Sequence, residues 1–141
     1  MSNGDEISGL FETIVELFAV TVLLDDAERD CEFIEFTHAS LVNNRLLRPD
    51  NIVCRETLLV WFQENRERIQ DTLASERAEE YKEKLLSKIE AENVRKRVLG
   101  SIYVIAACDD NLDSVSCEFI RLAMTLWNMD MPTGKDLEPV S

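Results

Sequence analysis

Residues 7–24, ISGLFETIVELFAVTVLL, constrain the fold more than any other stretch of the chain. One apolar stripe recurs at the intervals typical of an α-helix, at Leu10, Ile14, Leu17, Val20 and Leu24. A second apolar stripe accompanies it, at Phe11, Val15, Phe18 and Val22. A helix that is apolar around most of its circumference is buried, so we expect other helices to surround this one.

Five further segments have helical periodicity, and Gly (4) and Pro (3) are scarce, which together predict an all-α bundle of about six to seven helices. The segments are 28–43, 51–72, 75–90, 94–108 and 114–127. In the second, we expect the buried face to carry Cys31, Ile34, His38 and Leu41. The boundary residues are predicted from turn and capping chemistry, with Asn43-Asn44-Arg45 closing the second helix and Asp50, Asn93 and Asp113 capping the third, fifth and sixth.

The charge is strongly acidic and unevenly distributed. The net charge is −13, from 28 acids and 15 bases, yet residues 63–97 hold nine of each. The remaining acids repel nucleic acid and anionic lipid and attract cations or basic proteins. The acidic N-terminus does not resemble a secretory signal, and no apolar run reaches the roughly 20 residues of a membrane span. We expect a cytoplasmic protein that has no membrane span and binds no nucleic acid.

Four cysteines, Cys31, Cys54, Cys108 and Cys117, are present with a single histidine. No two of them have the CxxC spacing, and a structural zinc site needs about four converging Cys or His ligands. We therefore expect reduced cysteines that serve as small apolar core residues.

The chain contains an internal repeat. LFAVTVLLDDAERDCEFIEF and IYVIAACDDNLDSVSCEFIRL share an apolar helix, an acid pair, a short turn and Cys-Glu-Phe-Ile, with the second turn two residues longer. This predicts two pseudo-symmetric helical hairpins, at about 7–47 and 94–128. A charged helical connector, 49–92, joins them within one domain, 1–128, and 129–141 forms a tail.

The repeated pattern resembles the TerB and TerB-like tellurite-resistance family, in which an apolar helix ends in an Ala-x-Ala-Asp-Gly turn before a Glu-bearing helix. The second copy, IAACDDNLDSVS, and the first, VLLDDAERDCE, carry this pattern over most of residues 7–128. Asp26 and Asp110 replace the family glycine, Ser116 stands where the second glutamate is expected, and Glu28 takes the place of an apolar plug. The resemblance implies a role in tellurite or chemical-stress resistance, acidic motifs proposed to bind metal, and no enzymatic activity.

The acids at the two helix junctions are the candidate metal ligands, because hard divalent cations prefer clustered carboxylates. They are Asp25, Asp26, Glu32, Asp109, Asp110 and Asp113. The alternative is that these acids cap helix N-termini and complement helix dipoles. An EF-hand is excluded, since Ser114 and Ile120 stand where the loop requires Gly and the bidentate Glu.

Catalytic motifs are weak or absent. Glu35 and His38 have the Glu-x-x-His spacing of di-iron bundles, but such a site needs two of these motifs. A nucleophilic pair of His38 with Cys31 or Cys54 has no family signature, and there is no Gly-rich phosphate loop. Four large apolar residues lie near helix ends, namely Trp61, Phe62, Trp127 and Met129. We expect most of them to be core residues, and any exposed subset would mark a partner groove or a homodimer face.

These observations lead to one expected function and one alternative. The first is a non-enzymatic TerB-like protein of tellurite or chemical-stress resistance that binds a divalent metal ion and no other cofactor. The alternative is an acidic helical adaptor that docks a basic protein without metal. A homodimer is compatible with both.

Overall fold

A computed structural model of the protein describes residues 7–24, 30–108 and 114–130. These residues form six α-helices and no strand, which confirms the all-α expectation. The helices are α1 (Gly9–Leu23), α2 (Asp30–Leu47), α3 (Arg55–Leu73), α4 (Ala78–Ser87), α5 (Glu92–Ala107) and α6 (Ser114–Trp127). No helix in the described ranges is both long enough and apolar enough to cross a membrane.

Helix α1 is the centre of the bundle, as its two apolar stripes predict. It packs against α2, α3, α4 and α5. Phe11, Ile14 and Phe18 are at most 1% exposed, since neighbouring helices cover both stripes.

Helix α2 is longer than its sequence indicates. It runs to Leu47, so the expectation that Asn43-Asn44-Arg45 ends it is wrong. Asn44 is fully buried and holds the chain that follows the helix: its amide nitrogen donates to the Asn51 carbonyl at 3.1 Å, and its amide oxygen accepts from the Val53 N–H at 2.7 Å. The asparagine that looked like a helix terminator instead satisfies backbone groups of the connector.

The expected buried face of α2 is also wrong. Ile34 is 58% exposed and His38 is exposed. Aromatic packing fixes the rotation of the helix instead, because Phe33 and Phe36 lie 5.1 and 5.3 Å, ring centre to ring centre, from Phe62 of α3. This turns a small polar set of side chains inward, consisting of Glu32, Thr37, Ser40, Asn43 and Asn44.

Two predicted helix caps are displaced, and a third, Asp113, lies outside the described residues. Helix α3 is capped by Cys54 and not Asp50, because the bonds from Asn44 hold residues 51–53 in a non-helical connector. Helix α5 is capped by Ala91, and Asn93 lies in its first turn, since helical bonding already begins where the Arg95 N–H donates to the Ala91 carbonyl at 2.9 Å.

Large apolar residues near helix ends are mostly core, as expected. Trp61, Phe62 and Trp127 are 4–7% exposed, and Met129 is partly buried against the core. The Trp127 indole N–H donates to the Leu86 carbonyl at 2.9 Å and thereby ties α6 to α4.

The α1–α2 and α5–α6 pairs have the same layout along the chain. Ala107 ends α5 84 positions after Leu23 ends α1 (107 minus 23). Residues 25–29 and 109–113, which precede the described starts of α2 and α6, lie outside the described residues, so the longer second turn stays a prediction. In this register Asp25-Asp26 corresponds to Asp109-Asp110.

Burial follows the same 84-residue register. Four positions of α2 are buried at spacings of four, three and four residues, and so are their counterparts in α6: Glu32, Phe36, Ala39, Asn43 and Ser116, Ile120, Ala123, Trp127. Glu32 therefore corresponds to Ser116, which lies where the second family glutamate is expected. In the second copy, the Cys-Glu-Phe-Ile motif lies two residues later than the 84-residue register requires. Glu118 therefore does not correspond to Glu32, and Glu118 is exposed whereas Glu32 is buried.

The packing around the two pairs differs. Helix α2 lies against α5, whereas α1 and α6 share no comparable interface among the described residues. Helix α6 packs against α4 and α5. The two helix pairs thus have matching layouts and different neighbours.

Candidate functional site

A disulfide bond joins the two helix pairs at their junctions. Cys31 lies in the first turn of α2, and Cys108 is the C-cap of α5. Their Cα atoms are 6.1 Å apart, within the range of ordinary disulfides. The expectation of four reduced core cysteines is therefore wrong for this pair, since helix packing brings together two thiols separated by 77 positions.

The bond joins described residues that lie close in sequence to the two acidic junctions, 25–29 and 109–113. The described residues that flank the first junction are Leu24 and Asp30, and those that flank the second are Cys108 and Ser114. Cys31 follows the first junction by one residue, and Cys108 directly precedes Asp109 in the chain. Five predicted ligands lie outside the described residues, namely Asp25, Asp26, Asp109, Asp110 and Asp113.

Glu32 is the one predicted ligand that the structure describes. It is 1% exposed, lies one residue beyond the disulfide, and has an interaction partner in the fold. A buried carboxylate requires such compensation, because burial removes the water that would solvate its charge. Within residues 7–24, 30–108 and 114–130, no group of three or more His, Cys, Asp or Glu side chains is placed to hold a metal ion. The six-residue ligand set stays a prediction.

The two remaining cysteines are free thiols in different surroundings. Cys54 is exposed at the N-terminus of α3, contrary to the core expectation, and Cys117 is half-buried in α6. The Cys54 sulfur lies 3.2 Å from the Thr57 hydroxyl. The hydrogen bonds from the side chain and backbone of Thr57 lower the pKa of the Cys54 thiol below its usual value.

Of the two Cys–His pairs that the sequence offers as nucleophiles, the disulfide excludes the pair of Cys31 with His38. Cys31 is bonded to Cys108, so it carries no thiol that His38 could activate while the bond is intact. His38 is exposed on α2.

Glu16, Arg68 and Tyr81 form a polar cluster that no sequence motif predicts. The Tyr81 hydroxyl donates to Glu16 Oε2, and Arg68 Nη1 donates to the same oxygen at 3.2 Å. These residues come from α4, α1 and α3, and Arg68 and Tyr81 lie 52 and 65 positions from Glu16, so no local motif predicts the cluster.

No family model matches the chain, and neither a curated protein nor a solved structure matches it.

Proposed function

We propose that this protein is a TerB-like helical protein of tellurite or chemical-stress resistance that binds a divalent cation where its two acidic junctions meet. The single observation that carries the proposal is the Cys31–Cys108 bond, because it joins the residues that flank both junctions. Cys31 and Cys108, each close in sequence to one of the acid pairs, are thereby held together. The proposed protein is not an enzyme.

The 84-residue register supports the family assignment. A duplicated helix–acidic junction–helix unit is what the TerB resemblance implies, and the acid pairs stand at equal positions after the ends of α1 and α5. The pseudo-symmetric two-hairpin arrangement is part of this proposal.

The donor chemistry fits a hard cation. The six candidate ligands are all carboxylates, which suit Ca²⁺, Mg²⁺ or Mn²⁺ better than a soft metal. Glu32 already contributes a carboxylate next to Cys31 of the disulfide, at the position that the family glutamate occupies. A bound divalent cation would offset the mutual repulsion of the aspartates at the two junctions.

Metal titration followed by thermal melting tests the proposal. Each of Ca²⁺, Mg²⁺, Mn²⁺ and Zn²⁺ is added to millimolar concentration, and a ligand present at 100 times its Kd stabilises the folded state by about 2.7 kcal/mol. We expect the Tm to rise with at least one cation and the rise to be lost in Asp25→Asn/Asp109→Asn. The matched control, Glu64→Gln/Glu67→Gln, removes the same charge from the solvated part of α3 and should keep the rise. An unchanged Tm with all four cations would remove the metal function.

A docking function is the second candidate, and the surface of α2 favours it. Ile34, Val42 and Leu46 are 38–58% exposed along this helix, on a chain whose acids outside residues 63–97 number nineteen against six bases. A basic partner helix or surface would suit such an apolar and acidic face. Its binding should weaken with salt and be indifferent to a chelator, whereas metal binding should respond to the chelator.

The disulfide bears on where the protein works. Disulfides persist in oxidising compartments, and in the cytosol they are usually transient and redox-sensing. Cytoplasmic localisation stays a proposal, under which the Cys31–Cys108 bond would form and break with cellular redox conditions. Trapping thiols by alkylation at the moment of cell lysis measures its state directly.

A further inference from the structure

A cavity of about 330 Å³ lies between α1, α3 and α4, and neither disulfide cysteine lines it. Its charged and polar lining comes from Glu12, Glu16, Arg68, Tyr81, Lys84 and Lys88. Leu85 adds an apolar wall to this lining. The volume is at the small end of the range for organic ligands in proteins.

The carboxylates that line the cavity are already engaged by the protein. Glu12 accepts a hydrogen bond from the Trp61 indole N–H at 3.1 Å. Glu16 accepts from Arg68 and from the Tyr81 hydroxyl, so the guanidinium balances its charge. Burial, followed by the hydrogen bond to Glu16, raises the pKa of Tyr81 above its usual range. Tyr81 is therefore a protonated donor at neutral pH.

The lysines that line the cavity are not engaged in this way. Nearby lysines do find carboxylates, since Lys82 pairs with Glu79 at 2.9 Å and Lys96 with Glu92 at 3.9 Å. Within the ranges that the structure describes, the side-chain ammonium group of neither Lys84 nor Lys88 makes a hydrogen bond or an ion pair.

Helix geometry places the Lys84 and Lys88 side chains close to each other. Lys84 and Lys88 are four residues apart at the C-terminal end of α4, so their side chains lie on the same face of the helix. The negative end of the helix dipole favours cations here, but it does not require them to line a cavity. With Arg68 balanced by Glu16, two exposed lysines and one further carboxylate, Glu12, line the cavity, so its lining carries a net positive charge in a chain of net charge −13.

We propose that this cavity binds a small organic anion whose carboxylate or phosphate head group contacts Lys84 and Lys88. The apolar part of the ligand lies against Leu85 and the ring of Tyr81. Lysine binds such head groups as a point charge, and the neighbouring apolar wall favours an organic anion over an inorganic ion.

Titration at constant ionic strength tests this site, with backbone amide NMR shifts around Leu85 as the readout. The probes are phenyl phosphate, benzoate and inorganic phosphate. We expect saturable shifts with at least one organic anion, and about tenfold weaker binding in Lys84→Gln/Lys88→Gln, since both head-group contacts are lost. The matched control is Lys96→Gln/Arg121→Gln, which removes the same charge from exposed positions that do not line the cavity. It should change binding by less than about twofold.

The outcomes separate the ligand chemistries. Saturation by phenyl phosphate alone assigns a phosphate ester, saturation by benzoate alone assigns a carboxylate, and saturation by both assigns the shared oxyanion head group. Inorganic phosphate that binds as tightly as phenyl phosphate would overturn the role of the apolar wall. Shifts that never saturate, or equal weakening in both double variants, would overturn the site, because diffuse charge would then explain them.

Discussion

Removing the Cys31–Cys108 bond should cost this protein a large share of its stability. The bond spans 77 positions, and closing a loop of that length in the unfolded chain corresponds to about 4.5 kcal/mol at 25 °C in the chain-entropy model. Native domains are stable by only about 5–15 kcal/mol in total, so the reduced protein should be marginal.

The double variant Cys31→Ser/Cys108→Ser measures this effect without leaving an unpaired thiol. Urea unfolding followed by tryptophan fluorescence suits the chain, because Trp61 and Trp127 are buried and become exposed on unfolding. We expect the free energy of unfolding to fall by about 2–5 kcal/mol, the range measured for native disulfides. The variant should then be indifferent to reductant.

The matched control is Cys54→Ser/Cys117→Ser, which removes the two free thiols and keeps the bond. It should retain the full reductant sensitivity of the parent. Two results would refute the reasoning. One is an equal free energy of unfolding for the parent with and without reductant, and the other is alkylation of all four cysteines in the folded, unreduced protein.

Three further predictions concern individual contacts. Ile120→Ala should lower the free energy of unfolding by about 2–5 kcal/mol, because Ile120 is buried. Ile34→Ala, at the equivalent position of the repeated Cys-Glu-Phe-Ile motif, should change it by no more than about 0.5 kcal/mol, because Ile34 is exposed. Equal losses in urea unfolding would refute the 84-residue register. Asn44→Ala should cost about 1–3 kcal/mol, because it leaves the buried Val53 N–H without its acceptor and the Asn51 carbonyl without its donor. A change near zero in the same assay would contradict the role assigned to Asn44. Thr57→Val should shift the pH midpoint of Cys54 alkylation upward, because the side-chain hydrogen bond that stabilises the thiolate is lost. The measurement uses a variant that lacks the other free thiol, Cys117. An unchanged midpoint would show that this hydrogen bond does not lower the pKa of Cys54.

Much of the helix layout was predictable from the sequence, because the apolar period is a local property of the chain. The period places α1 and α6 within a few residues of their observed bounds, and two apolar stripes on one helix require that α1 be central. The acid pairs and the repeat are also visible in the letters. The candidate site could be predicted only as a set of acids at two junctions, and of these the structure describes Glu32 alone.

The rest was decided by tertiary contacts that no local pattern encodes. The rotation of α2 depends on Phe33 and Phe36 meeting Phe62, so a face that looked apolar became exposed and a polar face became buried. The role of Asn44 depends on the connector, because its side chain bonds backbone groups of Asn51 and Val53 from within α2.

The chemistry of Cys31 shows the same division most clearly. The sequence determined that the chain has four cysteines without paired spacing, and it offered no reason to pair any two of them. Only the packing of α2 against α5 brings Cys31 within 6.1 Å of Cys108, Cα to Cα, across 77 positions. Periodicity and charge are short-range properties that a sequence carries directly, whereas the meeting of distant side chains depends on how whole helices pack, which is a property of the folded core.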